Sequence, residues 1–139
     1  MNVTDGNHCT TSLQLNITEP PALISSITNP VNVSCFGGND GAASAIAAGG
    51  TPPYRYAWQP AGQVDPYVIG LTAGSYSVLV TDSNGCTASS AIQISEPPAL
   101  QSSLQSAAMV SCYGGNDGAA ALQTSGGTPP YGYAWSSVS

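Results

Sequence analysis

The chain repeats itself at a constant offset of 77 residues. Ile17–Leu23 (ITEPPAL) returns as Ile94–Leu100 (ISEPPAL), and Val33–Ala43 (VSCFGGNDGAA) returns as Val110–Ala120 (VSCYGGNDGAA). Gly49–Trp58 (GGTPPYRYAW) returns as Gly126–Trp135 (GGTPPYGYAW), and Val3–Thr10 (VTDGNHCT) is echoed by Val80–Thr87 (VTDSNGCT). An offset that never slips means tandem copies of one folding unit, and arrays of this kind serve as scaffolds or spacers. At 139 residues the chain holds about 1.8 such units, and residues 63–77 have no second copy. It therefore reads as a segment of a longer array.

The unit is too small for a large core, so a covalent staple is expected to support it. Four cysteines, two per period, fit that expectation and point to an oxidising, extracellular location. Net charge is −6, with seven acidic residues against a single Arg and no Lys. Nucleic-acid binding needs cations to displace counterions from phosphates, and anionic membrane surfaces need them too. Arg55 alone supplies neither. No apolar run approaches the roughly 18 residues of a membrane-spanning helix. Partners are therefore expected to be neighbouring repeats, identical chains in a filament, or surface glycans.

Sixteen glycines and eleven prolines interrupt the chain too often for helices. Short strands at this spacing indicate an all-β fold of antiparallel sandwiches with immunoglobulin-like order. Leu23 to Ser34 contains two strand-like pieces broken at Asn29-Pro30, and a small-residue strand covers Ala42 to Ala48 with Ala43, Ala45 and Ala47 facing inward. Tyr54, Tyr56 and Trp58 share one face of the next strand, opposite Arg55. A buried Trp there would plug the sandwich. Tyr67–Leu71 and Ser75–Asp82 follow, the latter with Tyr76, Val78 and Val80 on one side. Leu71–Tyr76 (LTAGSY) has the form of a tyrosine corner. Core positions are thus Trp58, Tyr54, Tyr56, Leu71, Tyr76 and, in the second copy, Trp135.

These motifs resemble the SprB-type repeats of cell-surface and gliding-motility adhesins of Bacteroidota. The match lies in Cys35–Gly41, Gly49–Trp58, Gly70–Tyr76, Val80–Cys86 and Ile94–Leu100. The resemblance implies very large secreted surface proteins, exported by a type IX system and displayed as filaments or adhesins. It does not by itself imply gliding.

Pairing Cys35 with Cys86 inside one repeat meets a geometric obstacle. In immunoglobulin-like order the two lie at opposite ends of parallel strands, about 23 Å apart, whereas a disulfide needs Cα atoms within about 7 Å. The favoured alternative is Cys9–Cys35 with Cys86–Cys112, the EPPAL stretch turning a hairpin; Cys35–Cys86 and free thiols remain open. On the favoured pairing, residues 36–112 form one complete unit, residues 1–35 the end of a preceding one with its junction, and residues 113–139 the start of the next.

Catalytic and cofactor signals are weak. His8, the one histidine, lies in a turn where the other copy has Gly85, and no nucleophile–base pair stands out. Asp40, Asp82 and Asp117, with Asn84, offer oxygen ligands for calcium, but Asn and Asp also favour Gly-rich turns for backbone reasons. Tyr54, Tyr56, Trp58, Tyr131, Tyr133 and Trp135 could form a sugar platform, although their alternation favours a core. Asn2, Asn16 and Asn32 begin N-x-S/T sequons. The expectation is a non-enzymatic, extracellular stalk without cofactor, the rival being a glycan- or protein-binding module whose contact loop is Gln59–Pro66.

Overall fold

The computed structural model describes residues 1–136, which form ten strands and no helix, and so no helix long and apolar enough to cross a membrane. Six strands build one sandwich: β3 (Ile24–Val31), β4 (Gly41–Ala48), β5 (Arg55–Gln59), β6 (Tyr67–Leu71), β7 (Gly74–Thr81) and β8 (Thr87–Ile94). One sheet has the order β3-β4-β6, the other β5-β7-β8, and every ladder within them is antiparallel. The two three-stranded sheets, β3-β4-β6 and β5-β7-β8, face each other across one core as an antiparallel β-sandwich.

Alternation places the core between the sheets. Ala43 and Ala45 of β4, Trp58 of β5, Val68 and Leu71 of β6, Tyr76, Val78 and Val80 of β7, and Ile94 of β8 are all buried, with Tyr54 and Tyr56 packed against them. The small β4 residues leave room for the Trp58 indole, whose Nε1 donates to the Asp65 carbonyl at 3.0 Å. Full burial of Trp58, Val68, Val78, Val80 and Ile94 contributes about 1.5–3 kcal/mol per side chain. Arg55 points to solvent.

Asn29-Pro30 does not break the first strand in two. Asn29 adopts φ +49° and the register shifts between Thr28 and Val31, so β3 passes through as one bulged strand. The strand is integral to the sandwich: it pairs with β4 from Ile24 to Val31, and Val33 just beyond it is in the core. The compact body thus runs from Leu23 to Glu96. It takes in β3, which the cysteine-based boundary at Phe36 had set in the preceding segment.

Two hairpins flank this body. β1 (Asn2–Thr4) pairs with β2 (Thr10–Ser12), and β9 (Gln101–Ala108) pairs with β10 (Ala119–Ser125). The 77-residue offset identifies β1 and β2 with the facing ends of β7 and β8, and β9 and β10 with β3 and β4. Equivalent residues therefore occur with and without their opposing sheet. Ile94 is 0% exposed and Ile17 88%, while Trp58 is 1% exposed and Trp135 65%.

The EPPAL stretch does not turn a hairpin. β9 lies in a separate sheet with β10 and does not return beside β8, so Cys112 sits past the far end of another unit's first strand. All four cysteines are free and exposed. Cys35 follows β3 at the end where the chain leaves the sandwich, and Cys86 precedes β8 at the end where it enters. The eight residues of β8 hold those ends about 26 Å apart, beyond disulfide reach. None of the three expected bridges, Cys9–Cys35, Cys86–Cys112 or Cys35–Cys86, is formed.

Candidate functional site: the junction between repeats

The chain enters the sandwich at Leu23 and leaves at Glu96, at opposite ends of the parallel neighbours β3 and β8. Ser25 and Ser90 hydroxyls bond at 2.9 Å, and further along the Val33 amide donates to the Ser95 carbonyl at 2.9 Å. Opposite ends are what a linear array requires, and the connectors are what would set the angle between its units.

The connector is held from both sides. Upstream, the Ser95 amide donates to Asn32 Oδ1 at 3.0 Å, and Glu96 Oε2 accepts the Gly37 amide at 2.6 Å. The carboxylate thereby reaches into the Gly37-Gly38-Asn39-Asp40 turn, where a charge-assisted bond to a backbone N–H is strong. Downstream, the Gly127 amide of the next unit donates to the Pro98 carbonyl at 2.8 Å, and the preceding connector repeats this bond from Gly50 to Pro21 at 2.7 Å. Only Pro97 separates the two clamps, and its ring fixes φ.

The Gly-Gly pair makes the downstream clamp possible. Gly49 and Gly50 both have positive φ (73° and 58°), as do Gly126 and Gly127 (72° and 60°). A Cβ on Gly49 would lie 2.1 Å from the Ala22 carbonyl oxygen, and one on Gly126 2.0 Å from that of Ala99. A side chain at either glycine would push the connector off. Tyr54 Oη and Tyr131 Oη then donate to the Gly49 and Gly126 carbonyls, both at 2.6 Å, holding the turn.

The candidate calcium residues Asp40, Asp82 and Asp117 lie at separate turns, each engaged with backbone, while Asn84 shares the Asp82 turn and donates to the Thr51 hydroxyl at 2.9 Å. Asp82 accepts amides from Thr51 (2.9 Å), Asn84 (3.0 Å) and Cys86 (2.8 Å). These bonds, that from Thr51 foremost, hold its carboxyl below the usual carboxylate range despite opposing desolvation. Asp5 makes the same cap in the first hairpin, accepting from Asn7 and Cys9. Asp40 and Asp117 are lowered by the side chain and amide of Ser34 and of Ser111 respectively, each amide lying 3.0 Å away. No group of three His, Cys, Asp or Glu residues gathers among the described residues. His8 sits exposed in the β1–β2 turn with φ +64°, where Gly85 has +85°.

The aromatic set divides. Tyr54, Tyr56 and Trp58 face the interior, while Tyr133 and Trp135 are exposed. A groove in the second copy is lined by Leu100, Leu122, Thr124, Tyr131, Tyr133 and Trp135. These match Leu23, Ala45, Ala47, Tyr54, Tyr56 and Trp58 one for one, so the groove is the counterpart of a sandwich core. The Gln59–Pro66 loop is tied into the fold. Trp58 donates its amide to the Gln63 carbonyl at 2.9 Å and its indole to Asp65, and Ala45 donates to the Pro66 carbonyl at 2.7 Å. The Gln63 side chain also brackets the β6 edge, donating to the Ile69 carbonyl at 3.0 Å and accepting the Ile69 amide at 3.4 Å. It takes the place a neighbouring strand would fill on an open edge.

Sequence reasoning located the motifs of the clamp but not the contacts. EPPAL and GGTPPY are identical in the two copies, which was the available signal; their partners are remote in sequence.

Residues 27–63 and 108–139 match a family model described as SprB repeat. No curated protein and no solved structure matches the chain significantly.

Proposed function

Two stretches of the chain match the SprB repeat model, and on that premise we propose that it is a stiff spacer segment of a large cell-surface adhesin or filament. The family is one of structural repeats in cell-surface proteins, which supports an extracellular, non-enzymatic role. The observation that carries the reading is the connector held by Glu96–Gly37 on one side and Pro98–Gly127 on the other. With one proline between the clamps, successive sandwiches have little freedom to bend. Stiffness here comes from hydrogen bonds and backbone restriction, not from disulfides. The adhesive alternative has less support, because the Gln59–Pro66 loop is bonded into the fold at Gly62, Gln63, Asp65 and Pro66.

Small-angle scattering on chains of two, four and six units tests the reading. An eight-residue strand of about 26 Å plus a short connector gives an expected increment of roughly 35–45 Å per repeat. Maximum dimension growing as the square root of repeat number would sink the proposal.

A further inference from the structure

We propose that the outer face of the β3-β4-β6 sheet is a lateral contact surface for a second copy of this chain, so that stalks associate side by side. Ile24, Ile46, Tyr67 and Ile69 project from this face and are each between 54% and 61% exposed. Their register strings them along a diagonal of the face: Ile24 opposes Ala48, Ile46 opposes Ser26, Tyr67 opposes Ser44 and Ile69 opposes Ala42, so each is a diagonal or along-strand neighbour of the next. Neighbouring apolar side chains in the open on a soluble sheet mark a contact surface.

The fold does not require these residues. The second copy has Gln101 where Ile24 stands and Gln123 where Ile46 stands, and β9 and β10 still pair, with Gln101 opposing Ser125 and Gln123 opposing Ser103. The outer face of β5-β7-β8 is polar by contrast, presenting Arg55, Gln59, Ser77, Thr81, Ser89 and Gln93 around Leu79.

Charge selects the occupant. The face carries no acidic or basic side chain, while Asp40, Asp65, Asp82 and Glu96 lie in turns and connectors outside the strands. Two chains of net charge −6 can thus meet through this face without opposing like charges, whereas a charged partner would find nothing to pair with. Area sets the strength. Three strands make a face of roughly 26 by 14 Å, or about 370 Å², under half the ~800 Å² per partner of a stable interface. A single contact is therefore weak and reversible, and along an array only those repeats that carry Ile at both positions add to it.

The test is a concentration series of the 139-residue chain from about 0.05 to about 2 mM, where so small a contact associates. It is read by amide chemical shifts and sedimentation equilibrium. Shifts confined to β3, β4 and β6 are expected. The double variant Ile24→Gln/Ile46→Gln, which installs the residues of the second copy, should weaken association by about ten-fold or more. Ile69→Thr, which keeps a β-branched residue in the strand, should weaken it too, and Leu79→Gln on the other sheet should not. Absence of self-association, shifts centred on Leu104, Leu122 and Trp135, or association indifferent to the Ile variants would each overturn the proposal.

Discussion

The Tyr76 hydroxyl donates to the Thr72 carbonyl oxygen at 3.1 Å, tying the start of β7 to the corner by which the chain crosses from one sheet to the other. The ring is buried in the core, so the bond joins packing to backbone geometry at one point. Tyr76→Phe keeps the ring and removes the bond. The expected loss is about 0.5–1.5 kcal/mol, with the urea midpoint lowered and the denaturant slope unchanged. A larger slope change would mean that the corner also restrains the denatured chain.

The two tryptophans form an internal control. Trp58 fills the sandwich and bonds to Asp65, whereas Trp135, at the equivalent position, lies 65% exposed. Trp58→Ala should cost about 3–5 kcal/mol. Trp135→Ala should cost within about 0.5 kcal/mol, as surface substitutions do. Thermal melts followed by circular dichroism measure both, and equal losses would contradict the placement of Trp135.

Trp58, Leu71 and Tyr76 were legible because their signals are local: alternation along one strand, and a Tyr set back from a Gly-containing corner. The inward face of β4 was legible because Ala45 could be set beside Leu122 of the second copy. The unit boundary was not. It was inferred from an assumed cysteine clasp, while the residues that fix it, Val33 against the core and Ser95 beside Asn32, meet across about sixty residues of chain. Gln63 was invisible for a different reason. It falls in the stretch without a second copy, and a glutamine in a loop carries no sign that its amide brackets a strand edge.

The cysteines give a direct chemical prediction. All four thiols are exposed and unpaired, so a thiol reagent should titrate four groups per chain without denaturant. A reducing agent should leave the melting temperature unchanged, because no bridge restrains the unfolded chain. A non-reducing peptide map showing a Cys86–Cys112 or Cys9–Cys35 peptide would restore the clasp and move the unit boundary with it.

Asp82 is expected to make the fold sensitive to acid. Its carboxylate receives the Thr51 amide from the Gly-Gly turn and the Asn84 and Cys86 amides from the β7–β8 turn. The ionised form is thus bound more tightly in the folded chain than in the unfolded one, and the carboxyl is lowered, chiefly by Thr51. A depressed folded value stabilises the protein fully above the unfolded value of about 3.9, and that stabilisation is lost as pH falls through the folded value. Asp40 and Asp117 add to the same dependence through Ser34 and Ser111. The melting temperature should therefore be flat from pH 7 to about 5 and fall below about pH 4. Asp82→Asn keeps the shape but loses the charge, so it should melt lower at pH 7 and show a shallower fall in acid. Because Thr51 follows the Gly49-Gly50 pair, the variant should also loosen the connector clamp, read as faster hydrogen exchange at the Gly50 amide bonded to Pro21. Unchanged exchange there would show that the clamp stands without Asp82.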